Sequence, residues 1–258
     1  MAQLTSALKG SLRVIKRRLV PLWVAAAWPY IAMAICFLIF GFVIRAYHEP
    51  SPQADPITLW RSLSVLAKVG VLLAYVACIS LPHGLATAGA VVVVWSDLQG
   101  EAVVLQSVFS RIRKVLPRLL VLSLCVGVMC SLFGMFFFVP GILGFAFLSF
   151  AIPVLMIEDT RVSTSLRKGI DLASSRTGAV LGLYAIVLVI IVAGLAILFV
   201  GAALVPSNVD FPWWVIPIAF WLVFVFMASA LIMGTTTVIV HLYEDLCART
   251  GPIAAIQP

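Results

Sequence analysis

Charge is what this chain has least of. Only 10% of its residues are Asp, Glu, Lys or Arg, against 63% apolar, and its mean hydropathy is +1.17. A soluble domain carries about a quarter charged and about half apolar residues. No single water-soluble core can take up this much apolar surface, so water-soluble enzyme folds are excluded. No polar stretch is long enough to fold as a soluble domain of its own. The apolar runs contain no Asp or Glu. There is no Cys-x-x-Cys and no Cys/His group at metal spacing. No Gly-x-Ser-x-Gly, His-Glu-x-x-His, Walker A or dinucleotide glycine motif stands in a usable context. No catalytic residue, cofactor or metal is therefore expected. Cys36, Cys78, Cys125 and Cys130 lie inside apolar runs and Cys247 near the C-terminus; all read as small apolar residues.

What is present is a series of long apolar runs. A bilayer core takes about 20 residues of helix. Runs at 19–44, 65–95, 119–138, 142–157, 179–205 and 213–240 predict six transmembrane helices. The fold class expected is an all-α polytopic membrane protein, one transmembrane domain over 1–258. The run 65–95 is interrupted by Pro82-His83-Gly84. At about 45 Å it exceeds the core, and one kinked or tilted helix fits it as well as two short pieces. Pro140-Gly141 separates the third and fourth runs as a tight hairpin.

The basic residues test the count. With the N-terminus inside, 14 of the 17 Lys and Arg fall on the cytoplasmic side, and only Arg45, Arg61 and Lys68 on the other. That asymmetry fits six spans with both termini cytoplasmic. Trp60, Trp213 and Trp214 fall at the outer boundary and Trp95 at the inner one, where amphipathic rings sit. The net charge of +7 thus reports membrane orientation, and no nucleic-acid partner is expected.

The basic segments 1–18, 101–117 and 161–176 have helical periodicity. Leu4, Leu8, Leu12, Ile15 and Leu19 line one face of the first; Val104, Leu105, Val108, Phe109, Ile112 and Val115 of the second; Val162, Leu166, Ile170 and Ala173 of the third. The pattern predicts two or three helices lying flat in the interface, with cations toward anionic headgroups. Lys16, Arg17, Arg18, Arg111, Arg113, Lys114, Arg167 and Lys168 are the candidate headgroup or partner contacts. The chain then reads as three units of basic helix plus two-helix hairpin. Either this is the rhythm of any N-in protein built of hairpins, or it is a threefold internal duplication. Ser11-Leu12-Arg13 and Ser165-Leu166-Arg167-Lys168 are about all that repeats in residues.

From the second unit onward the residues run Asp97-Leu98-Gln99-Gly100, Leu116-Pro117, Val139-Pro140-Gly141-Ile142 and Ile152-Pro153-Val154-Leu155-Met156-Ile157-Glu158. Ser165-Leu166-Arg167-Lys168 follows, then Leu242-Tyr243-Glu244-Asp245-Leu246-Cys247-Ala248-Arg249. Over residues 85–250 this order resembles the glycerophosphoryl diester phosphodiesterase membrane-domain family and related bacterial six-helix membrane proteins. The chain departs from that pattern at Cys247, where the family has Arg. The resemblance implies a six-helix fold in the bacterial cytoplasmic membrane. It implies no activity, because in relatives fused to a phosphodiesterase the chemistry belongs to a barrel of about 250 residues, which these residues do not supply.

Pro82, His83 and Gly84 form the candidate intramembrane site, because an ionisable group beside a helix breaker at membrane depth marks a functional position. The alternative is a neutral His bonded to a neighbouring helix at a packing kink. Glu158 and Asp159 read as caps of the following helix, paired with its basic residues. Tyr243, Glu244 and Asp245 read as a solvated helix end. Gly178 and Gly182 form a Gly-x-x-x-Gly pair suited to helix packing, with Gly141 and Gly144 a weaker one. The function expected is a non-catalytic accessory or scaffold protein. Its partners would be anionic membrane lipids, a membrane protein or a second copy of itself. The rival is a transporter or channel for a hydrophobic small molecule or lipid, using the site at His83. A membrane-embedded enzyme would have to draw on Glu158, Asp159 and His241.

Overall fold

The computed structural model describes residues 2–47, 64–136, 144, 146–203 and 215–250. The Pro140-Gly141 turn and the outer tryptophans Trp60, Trp213 and Trp214 lie outside these. Seven helices and no strand occur among the described residues: α1 Ala2–Tyr47, α2 Val65–Leu98, α3 Leu105–Phe136, α4 Ala151–Glu158, α5 Val162–Ser175, α6 Thr177–Ala203 and α7 Val215–Thr250. Five stretches among them are long and apolar enough to cross a membrane: Leu4–Phe37, Val65–Leu98, Leu105–Leu132, Thr177–Gly194 and Leu222–Ala248. The chain is an all-α polytopic membrane protein. The run expected at 142–157 is represented by a shorter apolar helix, Ala146–Glu158.

The helices differ from the expected segments in instructive ways. α1 carries both the basic segment and the first span, bent at Arg18, whose φ −123° and ψ 29° are not helical. Pro21 then falls in the first turn after the bend, where a missing N–H leaves no intrahelical bond unmade. α2 resolves the open choice at 65–95: it is one helix of 34 residues with Pro82 inside it, about 51 Å long. The segment 101–117 is not a separate helix. α3 starts at Leu105 and runs through Pro117 into the span. The reason is a continuous inward stripe of Val108, Ile112, Val115, Leu119, Leu122 and Val126, all buried, which outweighs the one backbone bond lost at proline. α7 extends to Thr250, well past 240, because Leu242, Tyr243 and Leu246 on its last turns are also buried.

The basic segments of α1 and α5 do not lie flat on their large apolar residues. In α1 the buried face is Leu4, Ala7, Ser11 and Val14, while Leu12 is 58% and Leu19 50% exposed. In α5 it is Ser165, Gly169 and Ala173, with Ile170 exposed. Gly10 lies against the His241 ring, and a Cβ at Gly169 would come within 2.7 Å of the Ala151 backbone nitrogen. Small residues face the bundle because they let helix axes approach; where lipid is as apolar as leucine, large side chains gain little by turning inward.

α1 packs most extensively on α7 and α2, and α2 on α3, whereas α6 makes few contacts with its neighbours. The core divides in two. One cluster joins α1, α2, α3, α4 and α7 around Leu22, Ala86, Val93, Leu119 and Leu155. The other, around Phe150, Val154, Leu183 and Leu242, ties the start of α1 to α4–α7.

Candidate functional site

α2 and α3 meet on small residues one turn apart. Ser80 and Gly84 on α2 face Gly127 and Ser123 on α3, antiparallel. A Cβ at Gly84 would lie 1.8 Å from Ser123 Oγ, and one at Gly127 would lie 2.5 Å from Ser80 Cβ. Beside this seam lies a cavity of about 230 Å³ whose lining includes Tyr75, Ile79, Ser80, His83, Cys130 and Ser131. A second space of about 40 Å³ is bounded by His83, Thr87, Ser149, Tyr184, Thr235 and Thr236. His83, Val126 and Ile152 line both, so the imidazole stands between the two.

His83 Nδ1 is 3.3 Å from the Tyr30 hydroxyl of α1. This is the kind of contact that the packing reading of His83 calls for, and the same residue borders the cavity. Pro82 is buried beside it and supplies no N–H, so the Cys78 carbonyl lacks its usual helical donor. Ser123 Oγ donates to the Leu119 carbonyl at 2.8 Å. Ser80 Oγ is buried and has no hydrogen-bond partner among the described residues. No Asp, Glu, Lys or Arg lines either cavity among the described residues. The larger space is almost wholly apolar in its lining, and neither has, among the described residues, a fixed charge with which to hold an ion.

The charged end of the bundle is organised differently. Arg18 Nε donates to Asp97 Oδ1 at 2.7 Å, and the Asp97 side chain is only 6% exposed. Arg118 Nη2 meets Asp159 Oδ1 at 2.5 Å, and its Nη1 also donates to the Asp159 and Thr160 carbonyls. Arg176 Nη2 meets Asp245 Oδ2 at 3.3 Å. In each hairpin unit, then, an arginine where the basic segment joins the first helix pairs with an aspartate near the end of the second. Arg176 even repeats the backbone of Arg18, with φ −127° and ψ 29°. Each aspartate lies near a helix C-terminus, where the dipole disfavours an anion, and the arginine offsets it. This recurrence gives the threefold reading of the sequence a physical basis that residue identity lacks.

Arg18 and Lys168, among the expected headgroup or partner contacts, are in ion pairs: Arg18 holds Asp97, and Lys168 Nζ lies 2.6 Å from Glu158 Oε2. Tyr243 is not on a solvated end; it is buried, donates to Glu158 Oε1 and stands edge-on to Trp95. Asp159 does not cap α5, whose N-cap is Arg161 with no side-chain bond; it closes α4 in a left-handed conformation at φ 53°. His241 Nδ1 lies 2.8 Å from the Thr237 carbonyl one turn earlier in α7. Lys16, Arg17, Arg113, Lys114 and Arg167 are exposed and Arg111 is half-buried. Gly178 has nothing within 4 Å of an added Cβ, and Gly182 meets only the tip of Leu4.

Sequence reasoning missed the Ser80/Gly84–Ser123/Gly127 seam, because it looked for paired glycines where serine serves equally well. Asp97 was visible only as part of a motif. No family model, curated protein or solved structure matches the chain.

Proposed function

We propose that this multi-pass membrane protein is a non-catalytic accessory or scaffold component of the bacterial cytoplasmic membrane, engaging anionic headgroups or a membrane partner through its basic face. The observation that carries this reading is the alternation of exposed cations with exposed apolar side chains. Arg13 and Lys16 flank the exposed Leu12 and Leu19 on α1, Arg113 and Lys114 follow the exposed Phe109 on α3, and Arg167 accompanies Ile170 on α5. Such a surface fits the depth where headgroups and acyl chains meet. The carboxylates that an enzyme would use are engaged in structural pairs. The likeness of residues 85–250 to phosphodiesterase-associated membrane domains is part of this proposal and adds fold and location only.

The test is native mass spectrometry of the protein released from mixed phosphatidylglycerol and phosphatidylcholine nanodiscs. Retained phosphatidylglycerol should exceed its bulk share and fall in the triple variant Arg113→Glu, Lys114→Glu, Arg167→Glu. Equal retention of both lipids by both proteins would dismiss the headgroup reading. A second reading, transport of a hydrophobic small molecule or lipid, is favoured by the cavity beside His83. Dye efflux from proteoliposomes that is lost in His83→Phe would support it.

A further inference from the structure

The smaller space, of about 40 Å³, lies where the three hairpins meet. His83 and Thr87 reach it from α2, Val126 and Ile152 from α3 and α4, and Tyr184 and Thr236 from α6 and α7. Its polar residues share one depth. Thr87 stands about 15 Å along its helix from Asp97, Thr236 about 14 Å from Asp245 and Tyr184 about 12 Å from Arg176, and those three partners mark the charged end. Half of a hydrocarbon core of about 30 Å is the same distance. The space is therefore at the middle of the membrane, at the junction of the hairpins, the position at which transporters built of internal repeats hold their ligands.

Two hydroxyls there are uncommitted. Thr235 and Thr237 each donate to a carbonyl one turn earlier in α7, the local bond by which a helical threonine satisfies itself. Thr236 between them does not, nor does Thr87 on α2; neither side chain has a hydrogen-bond partner among the described residues. Thr87 is only 7% exposed and Thr236 2%. Their hydroxyls are not sealed as Ser80 Oγ is, and both residues line this one space. An unmade hydrogen bond is costly at this depth, so the two hydroxyls select an occupant that both donates and accepts. The volume sets its size. A water needs about 10–15 Å³, so the space takes about one to three waters and no larger solute. No carboxylate or fixed cation lines it among the described residues, and an ion there would cost far more than a hydroxyl does.

We propose that this space is a hydration site at the bilayer midplane: it binds about one to three water molecules, which bridge the Thr87 hydroxyl of the first hairpin to the Thr236 hydroxyl of the third. The proposal goes beyond both functional readings above and rests on neither.

The test is X-ray hydroxyl-radical footprinting of the full chain in phosphatidylcholine nanodiscs, with oxidised residues identified by mass spectrometry. A radical formed from a bound water modifies the side chains beside it, whereas a dry core gives none. Tyr184 and Ile239, which line the space, should be oxidised well above Leu22 and Val93, which are fully buried elsewhere, after correction for intrinsic reactivity. Thr87→Val and Thr236→Val each leave a water short of a partner. Each should lower the unfolding midpoint by about 2–4 °C, the shift of one ordinary hydrogen bond in a chain of this size, and together they should reduce the oxidation of Tyr184 and Ile239. A raised midpoint would overturn the proposal, because replacing a hydroxyl that bonds nothing by a methyl group is stabilising. So would undiminished oxidation in the double variant, or oxidation of Tyr184 and Ile239 no greater than that of Leu22 and Val93. The last comparison decides on the unmutated protein alone.

Discussion

At the scale of single residues, burial decides which of several similar groups matter. Asp97 and Asp159 both meet an arginine, yet their side chains are 6% and 72% exposed. Asp97→Asn should therefore lower stability by about 1.5–3 kcal/mol, the value of a hydrogen bond to a charged group out of water. Asp159→Asn should cost less than about 1 kcal/mol, as exposed pairs do, since asparagine also tolerates the left-handed backbone there. Thermal unfolding of the detergent-solubilised protein checks both, and equal losses would mean that burial is not the controlling variable. The glycines divide in the same way. Gly169→Ala forces a Cβ within 2.7 Å of the Ala151 backbone nitrogen and should cost about 1–3 kcal/mol, whereas Gly178→Ala meets open space and should change stability by no more than about 1 kcal/mol in the favourable direction. Gly89 shows why such contacts arise. Pro29 deprives the Ala25 carbonyl of its helical donor, and that oxygen lies 3.0 Å from where a Cβ at Gly89 would be. Only glycine leaves room for that carbonyl against the neighbouring helix.

At the scale of helices, the spans were legible and their orientations were not. Hydropathy marks 65–95 as a span in any apolar solvent, and α2 follows at Val65–Leu98. The face a helix turns inward is a different question. In water, leucine points to the core; in lipid, leucine is at home outside and small residues make the interface. The stripe from Leu4 to Leu19 therefore lies askew to the buried face of α1: Leu4 is buried and Leu8 and Ile15 partly so, Leu12 and Leu19 are exposed, and Ala7 and Ser11, unremarkable in the sequence, are buried. Ala7→Leu should destabilise by about 1–3 kcal/mol through overpacking, and Leu12→Ala should stay within about 0.5 kcal/mol. Unfolding midpoints in one detergent decide between the two faces. α3 is the informative exception. Its inward stripe from Val108 to Val126 is large and apolar, and there the sequence pattern named Val108, Ile112 and Val115 of the buried face together with the exposed Val104 and Phe109. The site at His83 was legible as a position, because a titratable residue beside proline stands out in an apolar run. Its partners Tyr30, Ser80 and Ser123 were not, since each comes from a span that looks uniform until helices are paired.

At the scale of the whole molecule, basic residues and ion pairs serve one end of the bundle. If six spans run from an inside N-terminus, 14 of the 17 cations fall on one side, and that topology makes a prediction. In a variant without the five native cysteines, Lys9→Cys, Lys114→Cys and Arg167→Cys should react with an impermeant maleimide only after the cells are opened, and Gln53→Cys should react in intact cells. Labelling of Arg167→Cys from outside would require an odd number of spans before it. The three Arg–Asp pairs are closed within their own hairpins, and this bears on how the chain reaches its membrane. Translation delivers each arginine before its aspartate, and the pair becomes available once the second helix of the hairpin has emerged. Each hairpin then leaves the insertion machinery with its terminal charge already neutralised, and it does not wait for later helices to supply a counter-ion. The large faces that α1 and α2 turn toward α7 are covered only when the last hairpin arrives, so truncation after residue 100 or residue 161 should leave the earlier Arg–Asp pairs in place but give products less stable than the full chain, as thermal unfolding in one detergent would show.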